Sequence, residues 1–192
     1  MFHLIFDTET TGLPKSWSAP LDDAENWPRL VSLSWIITDG KNKQEFDFIV
    51  KPDGFAIPSQ ASEIHGITTE RALAEGYDLN FVLGLFRAFI NLSDKIVAHN
   101  IDFDRSIVGA EYYRLGLGEA FFARWNEKDT FCTMKKSTDI LKLRGTHAGG
   151  NKWPKLIELH NHLFNEGFDG AHNSLADTQA CARCYFELVK SL

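Results

Sequence analysis

The chain has 192 residues, 44% hydrophobic and 24% charged, which suits one domain over 1–192 with a full apolar core. Its charge of −6 argues against a generic nucleic-acid binder, which needs Lys and Arg for phosphates, although two divalent cations held by carboxylates would bring −6 to −2. No apolar run is long enough to span a bilayer, no signal peptide opens the chain, and three cysteines cannot complete a disulfide set, so a cytoplasmic setting without a membrane partner is expected.

The chain opens MFHLIFDTETTG, in which Phe2–Asp7 reads as a buried strand. Side chains alternate along a strand, so Asp7 and Glu9 point the same way, about 7 Å apart or less. Such a pair repels unless a cation lies between, although Asp-x-Glu occurs widely by chance and, taken alone, reads first as a solvated strand end. PKSWSAPLDDAENWPR, with three prolines and no apolar period, reads as a surface insertion. Val31–Thr38 and Gln44–Val50 follow as strands of a hairpin turned at Asp39-Gly40. Val82, Leu85, Phe86, Phe89 and Ile90 make one helical stripe. Ile96–Ala98 is a short strand before His99. Asp102–Leu115 fits a helix with an acidic first turn, and Trp153–Phe164 another with Pro154 near its start. A last helix runs from Ser174, as N-cap, to the C-terminus. Strands first, then strands mixed with helices, predict an α/β domain with a mixed sheet.

Two more clusters place acids where elements meet, which is where α/β sheets gather ligand sites: His99-Asn100-Ile101-Asp102-Phe103-Asp104 and His172-Asn173-Ser174-Leu175-Ala176-Asp177. Singly, Asp104 could serve a helix dipole, and Asp177, three residues after Ser174, a capping box. In order and spacing, FDTETTG, HNIDFD and HNSLAD together resemble the three motifs of the DEDDh, or DnaQ-like, 3′–5′ exonucleases. PRLVSLSW resembles that family's second strand, and IHGIT the turn before its helical half. The sister subclass has a tyrosine four residues before the last acid; here that position is Asn173, and His172 lies five before Asp177.

The resemblance implies a ribonuclease H-like fold, a mixed central sheet flanked by helices. It implies two Mg²⁺ (or Mn²⁺) ions, the first held by Asp7, Glu9 and Asp177, the second bridged by Asp7 and completed by Asp104 largely through water. It makes His172 the general base. Thr10, His65 and Phe103 would line the pocket of the terminal nucleotide, with Asn100 beside them as a substrate contact, while His99 and Asn100 orient the loop rather than touch metal. The implied reaction releases nucleoside monophosphates from single-stranded 3′ ends, DNA ahead of RNA, in proofreading or repair. An exoribonuclease trimming RNA ends, and a non-catalytic 3′-end-binding or polymerase-associated module, stay open as alternatives. The chain's end at Leu192, without a tail or linker, speaks against obligate tethering to a polymerase, but a surface could still bind such a partner.

Other features read more plainly. His160-Asn161-His162 lies inside a helical pattern and reads as surface chemistry. Cys181-x-x-Cys184 shares a helical face with Tyr185, Leu188 and Val189 and reads as core, not half a zinc site. From Lys135 to Lys155 six basic residues stand against one acid, with Trp153 among them, which fits a backbone-tracking surface or a solvated helix face. Within that stretch Arg144–Lys152, rich in glycine, is expected to be mobile and to close over a bound strand.

Overall fold

His3–Thr10 forms β1 and runs three residues beyond the predicted end at Asp7, so Glu9 lies within the strand with Asp7 and not past its end. A computed structural model describes residues 1–145 and 150–190. β2 (Leu30–Thr38) and β3 (Lys43–Ile49) form the predicted hairpin, in which Asp39 Oδ1 accepts the Lys41 and Asn42 N–H groups at 2.8 and 2.7 Å. Three helices follow: α1 (Ser59–His65), α2 (Thr69–Glu75) and α3 (Leu79–Leu92). Next come β4 (Lys95–Ala98), α4 (Ile101–Arg114), α5 (Gly118–Trp125), β5 (Asp129–Cys132) and α6 (Thr133–Leu141). α7 (Leu156–Phe164) and α8 (Ser174–Lys190) complete the order. The sheet runs β3-β2-β1-β4-β5, antiparallel on the β2 side of β1 and parallel on the β4 side, a mixed α/β sheet as expected.

The period of two along β1 separates two cores. Leu4 and Phe6 face α3, α4 and α5 with Leu33, Trp35, Phe86 and Tyr112. Ile5 faces α7 and α8 with Val97, Phe131, Leu159, Cys181 and Cys184. The Cys181-x-x-Cys184 pair is thus apolar packing, and burial pushes the Cys184 thiol up to about 12. Val189, expected on that face, is exposed. α4 and α5 touch closely, since a Cβ on Gly109 would lie 2.5 Å from Phe122 Cζ.

Several expectations are corrected. α7 begins at Leu156 and leaves Pro154 outside; the Lys155 N–H donates to Glu158 Oε2 at 2.7 Å and starts the helix there. Ser174 does not cap α8: Asn173 does, its Oδ1 accepting the Ala176 N–H at 3.1 Å. His160 is buried rather than superficial, with Nδ1 2.9 Å from the Glu166 carbonyl and Nε2 3.2 Å from Arg183 Nη1. The short elements α1, α2, α5 and β5 have no readable signal in the sequence, because four to eight residues hold too few apolar positions to show a period, while α6 supplies the helix expected before Arg144. The insertion is at the surface but pinned: Trp27 is buried with Nε1 donating to the Pro20 carbonyl at 2.9 Å, and Arg114 Nη2 donates to the Ala24 and Trp27 carbonyls at 2.7 and 2.6 Å. The predicted mobile connection Arg144–Lys152 has residues 146–149 outside the described residues; at its flanks the Lys152 N–H donates to the Leu143 carbonyl at 2.8 Å. No described helix is long and apolar enough to cross a membrane.

Candidate active site

Asp7 and Glu9 leave β1 on the face that α8 covers, and Ser34 and Ser32 of β2 stand directly opposite them. Directly opposed residues share a face, so two carboxylates and two hydroxyls form a small polar floor there. Serines are short enough for a helix to settle on. Ser174 Oγ lies 2.7 Å from both Ser32 Oγ and Ser34 Oγ, and Thr178 Oγ1 is 3.3 Å from the Ser34 carbonyl. Asp177, between those two contacts on α8, is therefore delivered to β1. One oxygen each of Asp7, Glu9 and Asp177 lie within 4.8 Å of one another. Asp177 is also tied to its own turn, since its Oδ2 accepts the His172 N–H at 2.9 Å. His172 itself is exposed and holds a left-handed φ of 69°, a conformation that non-glycine residues adopt rarely.

Asp104 arrives from the other side of the sheet. It is buried, and its Oδ1 accepts from the Thr8 N–H at 3.1 Å and from Thr8 Oγ1 at 2.7 Å. β1 pairs with β4 only over His3–Ile5, so beyond Ile5 the Thr8 N–H has no parallel strand to meet, and Asp104 takes it. Three of the four expected acids thus converge on one face, while the fourth is held at the strand edge by Thr8. Thr8, lying between the two motif acids, was not singled out from the sequence; its even position, opposite in direction to Asp7 and Glu9, was the available signal.

Burial, added to the charges of Asp104, Asp177 and Glu9, raises the Asp7 carboxyl well above the usual range. Burial and then Asp177 and Asp104 push Glu9 up to about 8, and burial pushes Asp104 to about 7 against the Thr8 hydrogen bonds. Asp177 is raised too, less so because the His172 N–H bond opposes burial. None of the four forms a salt bridge among the described residues. Clustered, half-buried oxygen donors with no cation of the protein's own fit a hard divalent ion.

That charge deficit makes a pH prediction for the metal-free protein. Glu9 and Asp104 bind protons more readily folded than unfolded, so their contribution is fully present below their ordinary values near 4. It is lost as pH rises through about 7 for Asp104 and about 8 for Glu9. In EDTA, Tm is expected to fall by several degrees between pH 5 and 8.5, and added Mg²⁺ to raise it far more at pH 8.5 than at pH 5. A pH-independent Tm in EDTA would remove the argument that burial, with mutual repulsion added, disfavours these charged carboxylates.

The expected substrate contacts divide into two groups. Thr10 Oγ1 donates to the Gly12 carbonyl at 2.7 Å and closes the turn after Glu9. His65, at the end of α1, lies against the Thr10 backbone; its Nδ1 accepts the Ile67 N–H at 3.1 Å, and its buried Nε2 has no partner among the described residues. Asn100 sits at the β4–α4 junction with a φ of 69°. Phe103, on the first turn of α4, is half-buried with its ring 5.8 Å from that of Trp17. His99 is locked, Nδ1 2.9 Å from Thr133 Oγ1 and Nε2 2.9 Å from the Pro154 carbonyl, and burial lowers it to about 4. It therefore ties the loop to α6 and to the segment before α7. In the basic stretch Lys135 pairs with Asp102, and Lys152 with Glu158 at 2.7 Å, so those two cations are already engaged.

Residues 4–185 match the RNase_T family, described as exonuclease. Among solved structures, the chain resembles the zinc-bound complex of E. coli exonuclease I with single-stranded DNA (TM-score 0.74, 20% identity, 99% of this chain and 40% of that one). A structure of exonuclease I that suggests how processivity is achieved gives 0.76, 21%, 99% and 41%, and the E. coli enzyme with a dT13 oligonucleotide 0.76, 20%, 99% and 41%. At that identity the likeness establishes the fold, and this chain spans about two-fifths of the length of those proteins. No curated protein matches the chain.

Proposed function

We propose, for a chain that belongs to the RNase_T exonuclease family, that it hydrolyses single-stranded nucleic acid stepwise from the 3′ end and releases nucleoside monophosphates. The observation that carries the reading is the convergence of Asp7, Glu9 and Asp177 within 4.8 Å, none of them in a salt bridge among the described residues. Asp7, Glu9 and Asp177 would hold one divalent ion, and Asp7 with Asp104 a second, Mg²⁺ or Mn²⁺. When bound, such ions supply a hydroxide near neutral pH and stabilise the departing alkoxide. His172, exposed beside Asp177, would take the proton of the attacking water on its ring. Thr10 and His65 on one flank, and Asn100 and Phe103 on the other, would hold the terminal nucleotide. DNA is favoured over RNA, since the exonuclease I structures of the same fold carry single-stranded DNA. Three free, buried cysteines suit a reducing compartment such as the cytoplasm.

The test uses 5′-labelled DNA and RNA strands of one sequence with Mg²⁺, Mn²⁺ or EDTA. A ladder of shortened labelled DNA in Mg²⁺, and none in EDTA, is expected. Immediate release of the labelled nucleotide would reverse the polarity, faster loss of RNA would change the substrate, and tight binding without cleavage would leave a 3′-end-binding module. His172→Gln should lower kcat by about 10²-fold with little change in strand affinity. A wild-type kcat in that variant would take the proton-transfer role from His172.

A further inference from the structure

The insertion between β1 and β2 holds two tryptophans with opposite environments. Trp27 is 5% exposed and its indole N–H is bonded, so its work is structural. Trp17 is 61% exposed, and among the described residues its indole N–H has no partner. A large aromatic left in water needs a different explanation.

Its surroundings supply one. The backbone just before it is clamped: the Ser16 N–H donates to Asn26 Oδ1 at 2.7 Å, Asn26 Nδ2 donates to the Ser16 carbonyl at 3.0 Å, and the Lys15 N–H donates to the Asn26 carbonyl at 3.2 Å. Asn26 is itself buried, and Arg114 fastens the same insertion to α4, the helix that carries Phe103 and Asp104. The Trp17 ring thus stands at a set position, 5.8 Å from the Phe103 ring and tilted 52° to it. Phe103 is one residue from Asp104, whose carboxylate is bonded to Thr8 between Asp7 and Glu9.

We propose that Trp17 is a base-stacking residue, extending the Phe103 surface outward to hold a base upstream of the terminal nucleotide. The proposal rests on the exonuclease reading above. Base stacking needs no charge: the insertion sets Lys15 and Arg29 against Asp22, Asp23 and Glu25, a near balance that gives phosphates little grip, while the aromatic face is available to any base. A ring held in place before binding also loses little freedom when the strand arrives. The contact is indifferent to sequence, as removal of successive nucleotides requires.

The test is steady-state digestion of a dT12 strand in Mg²⁺ by the wild-type chain, Trp17→Ala and Trp17→Phe, each also melted thermally. Trp17→Ala is expected to raise KM about tenfold without changing the slope of log KM against log salt, and Trp17→Phe to restore most of it. An unchanged KM in Trp17→Ala, with the wild type active, would overturn the proposal while the exonuclease reading stands. A raised KM that Trp17→Phe does not restore, accompanied by a large fall in Tm, would assign Trp17 to folding instead. A wild-type chain that releases no nucleotide from DNA or RNA would overturn the exonuclease reading, and the stacking role with it.

Discussion

Asp177→Asn is expected to reduce nucleotide release by at least about 10³-fold in kcat while leaving the fold intact or slightly firmer. The amide has the same shape, and its oxygen can still accept the His172 N–H that Asp177 Oδ2 now accepts at 2.9 Å. What disappears is one of three carboxyl groups gathered within 4.8 Å. In EDTA that change relieves repulsion on Asp7 and Glu9, both of which Asp177 drives toward protonation, so Tm at pH 8 should not fall. In Mg²⁺ the same change weakens the grip on the ion, and the Tm gain from added metal should shrink with activity. Activity and metal-free stability therefore move in opposite directions, a signature that a damaged core would not produce. Retention of more than about a tenth of the wild-type kcat would detach Asp177 from the chemistry.

Glu111→Ala is expected to cost about 3–5 kcal/mol of stability, a large part of the roughly 5–15 kcal/mol that holds a domain folded. Glu111 is fully buried in α4. Its Oε1 accepts from Arg29 Nε at 2.9 Å and from the Leu30 N–H at 2.9 Å, and lies 3.1 Å from Arg114 Nη1. Oε2 has no hydrogen-bond partner among the described residues, so one oxygen carries the whole junction. Truncation would strand the Leu30 N–H and leave two guanidinium groups facing each other in a half-buried position. Arg29 and Arg114 are also what fasten the end of the insertion to α4, so Trp17 and Phe103 should loosen together. Denaturant unfolding should show a lower midpoint at unchanged m-value, and Tm should drop by about 10 °C. A loss under about 1 kcal/mol would mean that water or a relaxed neighbour replaces the carboxylate.

Much of the candidate site was legible because it is written in short-range spacing. The alternation of a strand puts Asp7 and Glu9 on one face whatever the rest of the chain does, and the structure keeps them there. The stripe at Val82, Phe86 and Ile90 reads as the buried face of a helix for the same reason, and those residues are buried in α3. Errors fell where local rules compete. Ser174 and Asn173 are both good caps, and Ser174 lost the role because its hydroxyl is committed to Ser32 and Ser34. His160 looked superficial because nothing nearby in sequence shows that Arg183 and the Glu166 carbonyl will close around it.

The sequence by itself determined the shared face of Asp7 and Glu9, the mixed α/β architecture, and the core role of Cys181 and Cys184, since residue type, period two and period 3.6 all act within a few positions. Tertiary structure alone decided how the acids meet. Asp177 reaches Asp7 and Glu9 because Ser174 rests on Ser32, a contact between residues 142 positions apart. Asp104 is turned to Thr8 because α4 packs on the opposite face of the sheet and β4 stops pairing with β1 at Ile5. The upward shifts of Asp7, Glu9 and Asp104 likewise come from burial, and an isolated segment of chain has none. Such distances and desolvation arise only when faces far apart in the chain close on each other, and no local spacing records which small side chains will let them approach.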